Sequence, residues 1–198
     1  AFSAVTVDTY GVSQRDAEND DTDIFTQHYN GLLNVGVETK MFLKGTADDV
    51  TAATWTVTQA PDGSAATITE TVDMDTGTQI AAFTPDMVGT YMVEFGDGAE
   101  VASLTINAAL YTGIKGGACA NCHQDFAAGW GETGHATALV GEFDNETGHL
   151  QPFCVPCHST GNDPNAANDG FDDFDFVFPD VFAPGKSAEL AALYPDAM

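Results

Sequence analysis

Positive charge is what this chain has least of. Only Arg15, Lys40, Lys44, Lys115 and Lys186 are permanent cations, against 30 acidic residues, for a formal net charge of −25 over 198 residues. A surface of that sign repels nucleic-acid phosphates and anionic lipid, which excludes both as partners. No apolar run approaches the roughly 20 residues a bilayer-crossing helix needs, so no membrane span is expected. A basic stretch followed by an apolar one is also missing from the start. The chain begins at Ala1, which suits a mature product whose export signal has been removed. That reading places it outside the cell or on its surface, with the periplasm as the alternative. The acidity fits a saline or acidic-surface setting and says more about solubility than about activity. Histidine is scarce too, at 5 residues, and cysteine is limited to 4.

What the chain does have is a hydrophobic fraction of 43%, enough to bury a core. Its first half is written in period 2. The stretches "AFSAVTVDTYGV" and "NVGVETKMFLKG" (34–45) alternate apolar with polar residues, as do "TWTVTQAPDG" (54–63), "SAATITETVD" (64–73) and "TQIAAFTPD" (78–86). "GTYMVEFGDG" (89–98) and "AEVASLTINA" (99–108) complete the series. Short runs rich in Val, Thr, Ile and aromatics, punctuated by Pro-Asp-Gly, Asp-Gly and Asp-Thr-Gly, predict about seven strands in an antiparallel sandwich. Residues 12–30, "VSQRDAENDDTDIFTQHYN", read as an acidic loop inserted into it.

The segments "WTVTQAPDGSAATI" and "AAFTPDMVGTYMVEFGDG" resemble the immunoglobulin-like or PKD-type β-sandwich modules of secreted bacterial proteins, over most of residues 31–108. The resemblance implies a Trp-bearing strand packed in the core. It says little about activity, because such modules serve as spacers, adhesins and assembly surfaces alike.

After "NAALYTGIKGG" the alternation stops and the chain turns rich in Gly and Asp. The expected division is a sandwich domain over 1–108 and a second domain over 109–198. The second has few aliphatic runs, so a small irregular fold with short helices, filled by something other than side chains, is expected.

All four cysteines lie in two pentapeptides, "CANCH" (Cys119, Cys122, His123) and "CVPCH" (Cys154, Cys157, His158). C-x-x-C-H is the attachment signature of c-type haem. Two thiols three positions apart reach the two vinyl groups of one porphyrin, and the adjacent imidazole reaches its iron. A zinc site built from two CxxC pairs is the first rival. Here 31 residues separate the pairs, and each carries a trailing histidine that a four-cysteine site does not need. A thioredoxin-type dithiol needs a βαβ setting that the pattern lacks. Structural disulfides leave the histidines unexplained.

Two haems offer four axial positions. With His123 and His158 proximal, the remaining His28, His135 and His149 compete for two distal ones. His135 and His149 share the tripeptide Thr-Gly-His and are favoured. Among other distal candidates, Met41, Met74, Met87 and Met92 fall in the sandwich and Met198 is the last residue. If 124–140 were one helix, His135 would sit about 18 Å along its axis from His123 at 1.5 Å per residue. His135 would then serve the second haem and His149 the first. The glycines of "GWGETGH" can break that helix and reverse the assignment.

"CANCHQDFAAGWGETGHATAL" is similar to the CxxCH–Trp–(Ser/Thr)-x-His-Ala module of multihaem c-type cytochromes, and "CVPCHSTGNDPNAANDGF" to the segment that often follows it, together over 111–172. The resemblance implies closely packed bis-histidine haems of low potential, with His135 as a distal ligand. Relatives often hold four or more haems, so a two-haem unit implies a redox partner protein or neighbouring copies of itself. Filament-forming relatives polymerise, sometimes borrowing an axial histidine from the next subunit, and His28 is the candidate for that role here. Saturated iron favours electron relay over catalysis. A small peroxidase or nitrogen-oxide reductase with one open site, or a surface binding module with accessory haems, are the alternatives.

The tail alternates Phe171, Phe174, Phe176, Phe178 and Phe182 with Asp, as a covering arm or one donated to a neighbour's sheet would. "SAELAALYPD" predicts a short helix with Ser187 as N-cap. The Asp clusters, Asp172–Asp175 among them, offer oxygen ligands to calcium, although "NAANDG" does not complete an EF-hand loop. Close to a haem, Asp125 and that cluster would favour the ferric state.

Overall fold

The computed structural model describes residues 5–11, 33–74, 77–111, 118–144, 151, 154, 159–173 and 182–193. The chain divides into two compact units, Ala1–Leu110 and Tyr111–Met198.

The first unit is built of β-strands: β1 (Thr6–Gly11), β2 (Asn34–Gly36), β3 (Met41–Thr46), β4 (Thr54–Gln59), β5 (Ile68–Met74), β6 (Thr78–Phe83), β7 (Gly89–Gly96) and β8 (Val101–Ala109). They form two four-stranded sheets, in the orders β1-β3-β6-β5 and β2-β8-β7-β4. Side chains alternate along each strand, so every strand offers one row to the space between the sheets. Met41, Leu43, Ala81 and Phe83 of one sheet meet Val35, Tyr91, Val93, Ile106 and Ala108 of the other in a single buried cluster. Burying each of the larger side chains contributes on the order of 1.5–3 kcal/mol. Phe83 and Tyr91 meet edge to face at 5.5 Å. Trp55 leans on Phe95 at 4.5 Å. The Tyr91 hydroxyl accepts from Met87 N at 2.9 Å and donates to Asp86 Oδ1 at 3.0 Å, fixing the turn before β7. Asp86 in turn accepts from the Ser64 hydroxyl and from Ala65 N, and these bonds hold its carboxyl below the usual carboxylate range.

Two features depart from a simple antiparallel reading. The run 34–45 is not one strand. At Glu38 the backbone enters the left-handed region (φ 65°), its N–H donates to Pro85 O at 2.7 Å, and the chain crosses from one sheet to the other. As a result β2 pairs in parallel with β8, while β3 pairs antiparallel with β1 and β6. The second feature is that β6 is buried at all six positions. Tyr10, Phe42, Ile80 and Ala82, on the side away from the inter-sheet core, form a buried cluster of their own.

The opposite sheet turns a different face outward. Thr54, Thr56 and Thr58 of β4 and Ser103, Thr105 and Asn107 of β8 are exposed, and Glu94 of β7 is the one carboxylate among these rows.

The second unit carries short helices: α1 (Ala118–Cys122), α2 (Gln124–Gly131), α3 (Gly134–Phe143) and α4 (Lys186–Leu193). A tight loop, 159–173, lies between α3 and α4 in sequence.

Candidate functional site

The first CxxCH begins in α1. Cys119 and Cys122 are three residues apart on that one turn, and Cys122 is an exposed free thiol; the Cys119 side chain lies outside the described residues. His123 separates α1 from α2 with non-helical backbone (φ −119°, ψ 48°). Its imidazole is exposed and makes no capping bond, while its carbonyl accepts from Ala127 N at 2.9 Å. One turn on, the Phe126 ring stands edge-on to the imidazole at 6.1 Å. Asn121, Cys122, His123, Gln124, Asp125 and Phe126 line an open depression of about 290 Å³.

No residue of α2 is buried, although Phe126 is 80% and Trp130 39% exposed. These two lie four positions apart and so share one face of the helix. Eight residues make too short a helix to persist by propensity alone. An apolar ridge thus begins one turn from the CxxCH histidine and lies open to solvent. A Cβ at Gly129, Gly131 or Gly134 would meet nothing within 4 Å, so no contact requires glycine there, and inside α2 Gly129 costs up to about 1 kcal/mol against alanine.

The segment 124–140 is not one straight helix. α2 ends at Gly131, and Thr133 has extended backbone (φ −84°, ψ 153°) before α3 begins. Thr133 donates its hydroxyl to Trp130 O at 2.7 Å and its N–H to the same carbonyl at 2.9 Å, and its Oγ1 accepts from Ala136 N at 3.4 Å. The 18 Å straight-helix separation of His123 from His135 thus rests on a geometry the chain does not adopt. His135 is exposed in the first turn of α3.

Of the second CxxCH, Cys154 is a half-buried free thiol whose N–H donates to Gln151 O at 2.8 Å. Cys157 and His158 lie outside the described residues, as do His149 and His28. Among the described residues, no three His, Cys, Asp or Glu side chains gather where they could hold a metal ion. The loop 159–173 that follows spends its carboxylates on its own backbone. Asp173 Oδ2 accepts from Asn168 N at 2.6 Å, Asp172 Oδ1 from Asp163 N at 2.8 Å and Asp163 Oδ1 from Asn165 N at 3.0 Å. Tyr111 N donates to Asn168 O at 2.8 Å, closing the loop onto the start of the unit. A Cβ at Gly170 would fall 1.9 Å from Gly161 O, so that crossing admits only glycine.

The C-terminal helix starts at Lys186, two residues before the first position that an N-cap at Ser187 would give. Ser187 lies within α4 instead of capping it, and the cap comes from the residue that ends α3. Ser187 N and Oγ donate to the two carboxylate oxygens of Asp144 at 2.8 and 2.6 Å. The serine hydroxyl bond, then the backbone one, hold the Asp144 carboxyl below its ordinary range. Phe143 and Phe182 meet beside this latch at 5.7 Å. Sequence reading missed Phe126 and Asp144. Phe126 had a signal, three residues after His123 in helical spacing. Asp144 had none, being 43 residues from its partner.

No protein-family model matches the chain, and none of the curated proteins matches it. Among solved structures it is similar to the Lin-41 filamin domain, at 15% identity and a TM-score of 0.31, over 38% of this chain and 81% of that one.

Proposed function

We propose that this chain is an exported dihaem c-type cytochrome, in which an immunoglobulin-like sandwich carries a small haem domain that relays electrons to a redox partner or to neighbouring copies. The observation that supports it most is the bare ridge of Phe126 and Trp130 running from the free Cys122 and the uncommitted His123 imidazole. A porphyrin with thioether bonds to Cys119 and Cys122 would cover that ridge. Cys154 and Cys157 would hold a second ring. His123 and His158 would supply the proximal imidazoles, with His135 and His149 distal. Bound haem would supply a one-electron redox couple at these residues. The surrounding chain then sets potential through ligand identity, burial and the charge of residues such as Asp125.

Mass spectrometry of protein matured with a cytochrome c assembly system, read with a low-temperature spin-state spectrum, tests this. Two haem adducts per chain, both low-spin, with no spectral change on adding carbon monoxide to the reduced protein, are expected. An unmodified mass refutes the cytochrome reading, and a stoichiometric high-spin haem that binds carbon monoxide moves the protein to the enzyme class.

A further inference from the structure

We infer that Thr133 is the residue that positions His135 for iron, its hydroxyl acting as the pin of the corner between α2 and α3. The inference rests on the cytochrome reading and adds to it how one axial ligand is aimed. A helix leaves its last carbonyls and first N–H groups without internal partners. Here one hydroxyl serves both ends: it donates to Trp130 O at 2.7 Å, at the end of α2, and accepts from Ala136 N at 3.4 Å, at the start of α3.

The residue between pin and ligand is Gly134, where an added Cβ would touch nothing within 4 Å. Gly134 therefore brings no packing of its own, and the first turn of α3 is held at this end by Thr133, whose carbonyl also accepts from Ala136 N at 3.2 Å. His135 is the next residue. Its exposed imidazole swings with that turn. The same corner sets where Trp130 and His135 stand relative to each other, since Thr133 is tied to the tryptophan's own carbonyl through both its hydroxyl and its N–H. Because the Thr133 N–H bond survives loss of the hydroxyl, a variant should loosen the corner without unfolding it.

The experiment uses the haem-loaded protein and compares Thr133→Ala, Thr133→Ser and His135→Ala by spin-state spectrum, carbon monoxide titration of the reduced protein, and far-ultraviolet circular dichroism. His135→Ala should turn one of the two haems high-spin and let it bind carbon monoxide. Thr133→Ala should keep its dichroism and both covalent haems but gain carbon monoxide binding at that one haem, where the parent shows none, with lower affinity than His135→Ala. Thr133→Ser should restore the original behaviour. A Thr133→Ala protein that binds no carbon monoxide while His135→Ala does would overturn the inference, as would a serine variant that behaves like alanine. If His135→Ala leaves both haems low-spin, His135 is not axial and the inference falls, although two attached haems keep the cytochrome reading standing. Absence of any attached haem removes both.

Discussion

The sandwich offers a sharp test of its packing at Gly45, on β3. A Cβ placed there would lie 2.5–2.7 Å from Cδ1, Cε1 and Cγ of Phe95. Carbon atoms pack at about 3.5–4.0 Å, so the ring would have to retreat by about 1 Å. It has no space to do so, since Phe95 is fully buried, clustered with Val50 and Ala53 and pressed on Trp55 at 4.5 Å. Two effects of opposite sign compete in Gly45→Ala. Alanine restricts the unfolded chain and favours the strand by roughly 0.5–1 kcal/mol. Overpacking a full core costs about 1–3 kcal/mol. The clash should win, leaving a net loss of about 1–2 kcal/mol, read as a lower urea midpoint at unchanged m-value. Phe95→Leu alone should cost less than the roughly 3–5 kcal/mol of a Phe→Ala truncation. Together the two should cost less than their sum by about 1 kcal/mol, because the smaller side chain frees the space the new methyl needs. Strict additivity, or a Gly45→Ala protein as stable as the parent, would refute the packing described here.

Two further outcomes follow from charge. Bonds from Ser187 lower the Asp144 carboxyl in the folded state, so the latch stabilises α4 above the ordinary carboxylate value and is lost as pH falls through the lowered one. Protection of the α4 amides, corrected for intrinsic exchange, should therefore fall below about pH 4, and Asp144→Asn should lower it at neutral pH and abolish the acid dependence; protection indifferent to both pH and substitution would remove the latch. With 30 acidic residues against 5 basic, self-repulsion opposes compactness, and screening reaches about 3 Å at 1 M salt compared with about 10 Å at 0.1 M. The thermal midpoint should rise over that range of sodium chloride, and a flat or falling midpoint would show that the charge is already neutralised within the fold.

Much of the sandwich was legible because period 2 leaves a direct mark: Met41, Leu43, Tyr91, Val93 and Ile106 face the core as their alternation requires. What escaped was the break at 37–40, since Val37 carries the alternation into a turn and the left-handed residue is Glu38, which has none of the usual marks of a turn. The parallel pairing of β2 with β8 was hidden for the same reason. The double burial of β6 was half visible, because "IAAF" is continuously apolar and a strand covered on both faces reads that way. In the second unit the cysteine spacing stands out at once, because each CxxCH is a contiguous pentapeptide. The corner at Thr133 was only suggested by its glycines. The Asp144–Ser187 latch depends on how α3 and α4 come to lie together, and nothing local announces that.

The hydroxyl-rich rows of β4 and β8 bear on how this molecule meets others. Elsewhere its carboxylates gather a sheath of sodium or potassium that any approaching body must first strip away or share. Over Thr54, Thr56, Thr58, Ser103 and Thr105 that sheath thins, because Glu94 is the one carboxylate of these rows among the described residues. A body that approaches the first unit across this window of neutral hydroxyls displaces water, not a counterion.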